Sequence, residues 1–240
     1  MKHIAVLYMS TFTQNETEFQ NDDGTFKEIT YQTNETALKY LSWKLAKSGE
    51  VLDKVFAFVS EQAESLGAQK EGIGKDYSAY NWLKYSLEKY HDKLNINTGR
   101  IIRRNIDDWF EKVKVGNGDV FDSYISLNKM AIALQNYVLA QRDEEITFHI
   151  DFTGGFRHSA VLLLSLVHMM KFSGMKIDNV IYSNMGTKKI EDIRSLLDSY
   201  SMISGAAEFT NYGSIEQISN IFYNVEYKSE QLKILLDSME

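Results

Sequence analysis

Short apolar runs of strand length alternate along the chain with longer stretches that have helical spacing. Residues 3–9, HIAVLYM, are apolar without alternation, the pattern of a strand covered on both faces. The polar stretch STFTQNETEFQNDDGTFKEITYQ follows, and its Asp-Asp-Gly predicts a turn between two short extended arms. TNETALKYLSWKLAKSG predicts a helix. Leu38, Leu41 and Leu45 keep to one face, Thr33 or Asn34 caps the start, Glu35 sits in the first turn, and Ser48-Gly49 ends it. VLDKVFAFVS (51–60), EITFHIDF and IDNVIYSNM read as three further strands, and GTKKIEDI as a short strand turning back.

Between the second and third strands the pattern is less regular. GAQKEGIGKD (67–76) reads as a loop and YSAYNWLKYSLEKY as a helix, while GRIIRRNI fits an edge strand or part of a helix. DVFDSYISLNKMAIALQNYVLAQRDE predicts a helix with Tyr124, Leu127, Ala131, Leu134 and Val138 on one stripe. FRHSAVLLLSLVHMMKFSG predicts another, closed by Gly174. From Ser195 the pattern is helical to the end, with a break near TNYGS. Strands alternating with helices imply parallel pairing through right-handed crossovers. The expected fold is α/β, a Rossmann-like, mostly parallel sheet flanked by helices. Residues 1–194 form that domain, and 195–240 a helical connector or tail.

Composition narrows the function. With 44% hydrophobic and 12% aromatic residues the chain can bury a core, so global disorder is not expected. A formal charge of −7 argues against an extended basic face for duplex nucleic acid, but not against a small anion in a locally basic pocket. There is no cysteine, which removes disulfides and thiolate metal sites and fits a reducing compartment. The five histidines form no H-x-x-x-H or H-E-x-x-H pattern, and there is no G-x-S-x-G, so neither a metal, a cofactor nor a nucleophile elbow is expected. MKHIAVLYMS is too short an apolar run for a signal peptide, and AVLLLSLVHMM falls short of the ~20 residues that span a bilayer. The expected location is the cytoplasm, away from membranes.

The most specific chemistry lies at HIDFTGGFRHSAVLLLSL, residues 149–166, where a strand meets a helix. Ligands of open α/β sheets bind beyond the carboxyl ends of the strands. Gly154 and Gly155 remove Cβ atoms there, which frees the backbone angles and lets a ligand touch the main chain. The helix start adds free N–H groups with a partial positive charge. Thr153 supplies a hydroxyl, Arg157 a fork of donors and His158 a further polar group. Together they describe an anion or phosphate site. The competing reading leaves the glycines to the turn alone and pairs Arg157 with Asp151 or another carboxylate. Asp151 itself suits orienting the loop.

IDFTGGFRHSAVLLL resembles the signature of CARF domains, the CRISPR-associated Rossmann-fold sensors, in which a strand ends in Asp-x-Thr-(Gly or His)-Gly-Phe-Arg and leads into an apolar helix. NVIYSNMGTKKIEDI, SLLDSYSMISGAAEFTNYG and the first strand with its hydroxyl-rich end, VLYMSTFT, resemble the family more loosely. The resemblance implies a homodimer that binds a cyclic oligoadenylate, tetra- or hexa-adenylate, in a pocket built from strand ends. The residues at matching positions are Ser10, Thr11 and Phe12 after the first strand, and Thr153, Gly154, Gly155, Arg157 and His158 after the third. Asn184 and Met185 follow the fourth; Lys188 and Lys189 lie in a solvated turn nearby. Effectors of this family usually add a HEPN ribonuclease domain, whose Arg and His stand four to six residues apart. The helical tail from Ser195 resembles the connector that leads into such a domain, so the resemblance implies either the sensor part of a longer effector or a stand-alone protein. Some CARF domains also cleave their ligand slowly without metal, which would give Arg157, Thr11 and His158 catalytic roles. Apart from the resemblance, the junction also suits a Rossmann-like enzyme acting on a mononucleotide or another phosphorylated small molecule.

Overall fold

The computed structural model describes residues 1–13, 15–65, 77–98, 106–116, 120–141, 144–155 and 157–213; of residues 95–98, 106, 107, 120, 121, 157, 209 and 212 it describes the backbone alone. The chain divides into two compact units, Met1–Asp192 and Ile193–Glu240.

The first unit contains one eight-stranded sheet. Its strands are β1 (Lys2–Tyr8), β2 (Thr17–Gln20), β3 (Lys27–Thr30), β4 (Leu52–Val59), β5 (Phe110–Lys114), β6 (Ile146–Asp151), β7 (Lys176–Asn184) and β8 (Lys189–Asp192). Its helices are α1 (Thr33–Lys47), the single turn α2 (Glu61–Glu64), α3 (Ala79–Thr98), the single turn α4 (Ile106–Trp109), α5 (Val120–Ala140) and α6 (Arg157–Phe172). The fold is the expected Rossmann-like α/β sheet. The second unit holds α7 (Arg194–Tyr212), followed by Gly213 at φ +70.

The strand order is β3-β2-β8-β7-β6-β1-β4-β5. Five strands, β7-β6-β1-β4-β5, run parallel. Taken in chain order, the parallel strands stand third, second, first, fourth, fifth across the sheet. The chain therefore builds outward from β1 in one direction, then returns to build outward in the other. That reversal lies between β1 and β6, where the crevice of a doubly wound sheet opens. β8 pairs antiparallel with β7, and the β2–β3 hairpin joins β8 through one residue pair, Gln20 with Lys189.

β1 is covered on both faces because every residue after Lys2 is apolar or buried. Ala5, Leu7 and Met9 pack with Val55, Ala57 and Val59 of β4 against Leu38, Leu41 and Leu45 of α1 and Leu83 and Leu87 of α3. Residues of opposite parity face α5 and α6, as where Phe56 meets the Tyr137 ring edge-on at 5.3 Å.

Two expectations are corrected, and one strand is added that the sequence pattern did not predict. The cap of α1 is Gln32, in extended conformation, so Thr33 and Asn34 fall inside the first turn. The buried stripe of α5 runs through Ser126, Met130 and Leu134, while Tyr124 is 67% exposed. The parallel edge strand is β5, whose FEKVK sequence shows only one buried residue. Charged side chains are how a sheet edge avoids pairing with other chains, and they also erase the apolar signal of a strand. The loop expected at 67–76, most of GRIIRRNI and everything after Gly213 lie outside the described residues.

Candidate functional site

β1 and β6 lie side by side, Leu7 opposite Asp151, so the segments that follow them leave the same edge of the sheet. α1 and α6 both begin at this edge. Each start presents N–H groups without intrahelical partners and the positive end of a helix dipole. The first turn of α6 carries no acidic residue that would offset this.

The two glycines have different reasons. A Cβ on Gly154 would lie 1.9 Å from the Tyr8 carbonyl oxygen and 2.6 Å from the Asn34 side chain. Its main chain is therefore pressed directly onto the end of β1. Gly155 has φ +86, and a Cβ there would meet Tyr8 Cδ1 at 2.6 Å and Ser159 at 2.7 Å. Gly154 serves a close approach, and Gly155 combines one with a left-handed turn.

Asp151 is buried and accepts from Thr153 N at 2.8 Å, from the Thr153 hydroxyl, and from Asn34 Nδ2 at 2.6 Å. Burial pushes its pKa up to about 6, although the donors of Thr153 and Asn34 pull the other way. Thr153 Oγ1 in turn accepts from Ser183 N at 2.8 Å, and Ser183 Oγ donates to Thr33 O at 3.2 Å. Thr153 thus ties the loop after β6 to β7, its hydroxyl both donating and accepting. Asp151 orients the loop, as its position just inside the strand suggested.

Asn34 joins the segments. Its Oδ1 accepts from Ser10 N at 2.6 Å, and its Nδ2 donates to Asp151 and, at 3.3 Å, to Tyr8 O. The sequence marked Asn34 only as a cap, and no signal in one sequence separates a capping Asn from one that reaches across the sheet edge. Gln32 was not singled out at all. It is fully buried and donates to Ser10 O at 3.3 Å and Ala79 O at 3.1 Å.

The other expected residues are placed less closely. Thr11 is exposed, and Phe12 is partly buried against the core. His158 is partly buried in the first turn of α6. The Arg157 side chain lies outside what the structure describes; its backbone opens α6. Asn184 holds the β7–β8 turn: its Oδ1 accepts from Gly186 N at 2.9 Å and its Nδ2 donates to Glu191 at 2.9 Å. Met185 is exposed in that turn. Lys189 pairs with Asp22 at 2.9 Å.

Chemically, the arrangement offers the backbone donors of the α6 start, with no acidic residue in its first turn, which suits a phosphate or another anion. Among the described residues no group of three or more His, Cys, Asp or Glu side chains is placed to hold a metal, and no helix is long and apolar enough to cross a membrane. No protein-family model and no curated protein matches the chain.

Proposed function

We propose that the protein is a CARF-type sensor that binds a cyclic oligoadenylate, tetra- or hexa-adenylate, as a homodimer in type III CRISPR antiviral defence. The observation that carries this reading is the position of the Asp-Phe-Thr-Gly-Gly-Phe-Arg run. It sits at the β1–β6 switch point, where a doubly wound sheet binds its ligand. Gly154 lets the loop close onto the end of β1 there, and the first turn of α6 carries no acidic residue. Small ligand size is consistent with a net charge of −7, since only a local patch need be positive.

The same site suits slow cleavage of the ring. A ribose 2′-oxygen attacks the adjacent phosphorus and loses its proton. The P–O5′ bond breaks, the 5′-oxygen leaves as a hydroxyl, and the product ends in a 2′,3′-cyclic phosphate. This needs in-line geometry and charge stabilisation but no metal. Arg157 would stabilise the phosphorane. Thr11 or His158 would orient the 2′-hydroxyl, while the Thr153 hydroxyl serves Asp151 and Ser183.

The third-second-first-fourth-fifth order of the parallel strands also favours a second reading, an enzyme that handles a mononucleotide or another phosphorylated small molecule. Incubation of the full chain with cyclic tetra- and hexa-adenylate, followed by chromatography, separates the readings. The sensor returns one ring intact and bound, and the ring nuclease returns linear product. If a mononucleotide raises the melting temperature and neither ring does, the second reading holds instead. Light scattering checks the dimer: a chain that remains monomeric at tens of micromolar with its ring bound would contradict it.

A further inference from the structure

The two faces of the sheet are covered differently. On one, α3 sets Glu88, Lys89, Asp92 and Lys93 outward, the charged face of a helix that meets water. On the other, α5 and α6 lie side by side and are almost without charge. Asp122 and Lys129 are the only charged residues of α5, and α6 has no Asp, Glu, Lys or Arg between Arg157 and Lys171. Both helices bury an apolar inner face, Met130 and Leu134 on α5 and Leu163, Leu166 and Val167 on α6. Their outer faces are apolar as well. Tyr124, Ile132 and Leu139 on α5, and Val161, Met169 and Phe172 on α6, are 44–93% exposed. These positions recur close to whole numbers of turns, so they form a stripe along each helix. Helices that are hydrophobic all round are buried helices.

We propose that the outer face of α5 and α6 is where two copies of the chain meet. This rests on the homodimer of the reading above and adds the surface that forms it. Size is the first argument. The six side chains together expose on the order of 700 Å², more than the ~300–600 Å² patch of a typical monomer and close to the ~800 Å² that each partner gives to a stable interface. Charge is the second. A chain with a net charge of −7 repels its own copy, and the repulsion is least where the facing surface carries no acidic residue. Neither stripe contains one. A two-fold axis sets the same patch against itself, and an apolar patch satisfies that condition with no charges to match. α6 is also the helix that follows the Gly154-Gly155 turn, so one element serves both the anion site and the contact between copies.

The test is sedimentation equilibrium of the full chain at tens of micromolar, without ligand, for the parent, Val161→Glu, Ile132→Glu and Ile29→Glu. Ile29 is an exposed residue of β3, the free edge strand far from α5 and α6, and serves as the control. The parent should sediment as a dimer. Val161→Glu and Ile132→Glu should each weaken the dimer by roughly a hundredfold or more, because the axis buries every introduced charge twice and sets like against like. Circular dichroism should show both variants folded, since each site is exposed in the single chain. Ile29→Glu should keep the mass of the parent. Folded α5 and α6 variants that remain dimeric overturn the proposal. If they also melt earlier, another part of the same chain covers this face; if Ile29→Glu alone is monomeric, the copies meet at β3. A monomeric parent overturns it as well. Calorimetry with cyclic tetra- and hexa-adenylate is read separately: a dimeric parent that binds neither ring loses the sensor reading and keeps this interface.

Discussion

Asn34 Nδ2 stands 2.6 Å from Asp151 Oδ2, and Asn34 Oδ1 stands the same 2.6 Å from Ser10 N. One side chain from the first turn of α1 thereby fixes the ends of the two strands that flank the switch point. Asn34→Ala removes these bonds and leaves a buried carboxyl one donor short. The expected loss is about 3 kcal/mol, since a hydrogen bond to a charged group contributes roughly 1.5–3. Urea unfolding measures it, and a loss under about 1 kcal/mol would show that the link is not stabilising.

Asp151 makes stability fall as pH rises. Its pKa moves from an ordinary 3.8 to about 6 in the folded protein, because burial disfavours the charged form. The folded state therefore holds this proton more tightly than the unfolded chain. The resulting stabilisation is complete below the unfolded value and lost as pH climbs through the folded one. A shift of about two units corresponds to roughly 3 kcal/mol. Asp151→Asn should remove that part of the pH dependence, so the stability difference between parent and variant should change across this window. A constant difference would mean that the carboxyl titrates normally.

The glycines should rank by what a methyl would strike. Gly154→Ala drives a Cβ into the Tyr8 carbonyl, which cannot move without breaking β1, and should cost upwards of about 3 kcal/mol. Gly24 has φ +70 but open space around it, so Gly24→Ala should cost only about 1 kcal/mol of backbone strain. Thermal melts of the two variants give the order directly. Equal melting temperatures would refute the close approach.

Arg157→Ala should weaken cyclic oligoadenylate binding by roughly 2 kcal/mol or more, the scale of a charge-assisted hydrogen bond, and leave the fold intact. A planar guanidinium grips a phosphate or stacks on a base in ways a Lys cannot imitate, so Arg157→Lys should rescue only partly. Unchanged affinity in calorimetry would hand the anion to the backbone donors of α6 alone.

What the sequence made legible follows from where hydrophobic burial dominates. β1, β4, β6 and β7 are apolar enough to be read directly, and the leucines of α1 point inward as their spacing predicts. β5 escaped because an exposed edge takes lysine and glutamate. The stripe of α5 was set in the wrong phase because the helix also exposes large apolar residues, Tyr124 and Ile132 among them, so hydrophobicity alone could not fix its face. At the site, Gly154, Gly155 and Asp151 declare themselves through an unusual run of residue types. Asn34 and Gln32 do not, since their roles depend on a strand more than a hundred residues away or on the start of α3, 47 residues on.

The strand order also sets a timetable. β1 is made well before β6 and lies between β4 and β6 in the finished sheet. Its second neighbour begins at residue 146. At a synthesis rate of ~5–20 residues per second, β1 waits on the order of ten seconds with one edge unpaired. During that interval Asn34 has no Asp151 to hold, and the loop that presses on Tyr8 does not yet exist. The site therefore closes only after β6 and the loop that follows it have been made, and a chain cut before that point keeps a strand edge open to other chains.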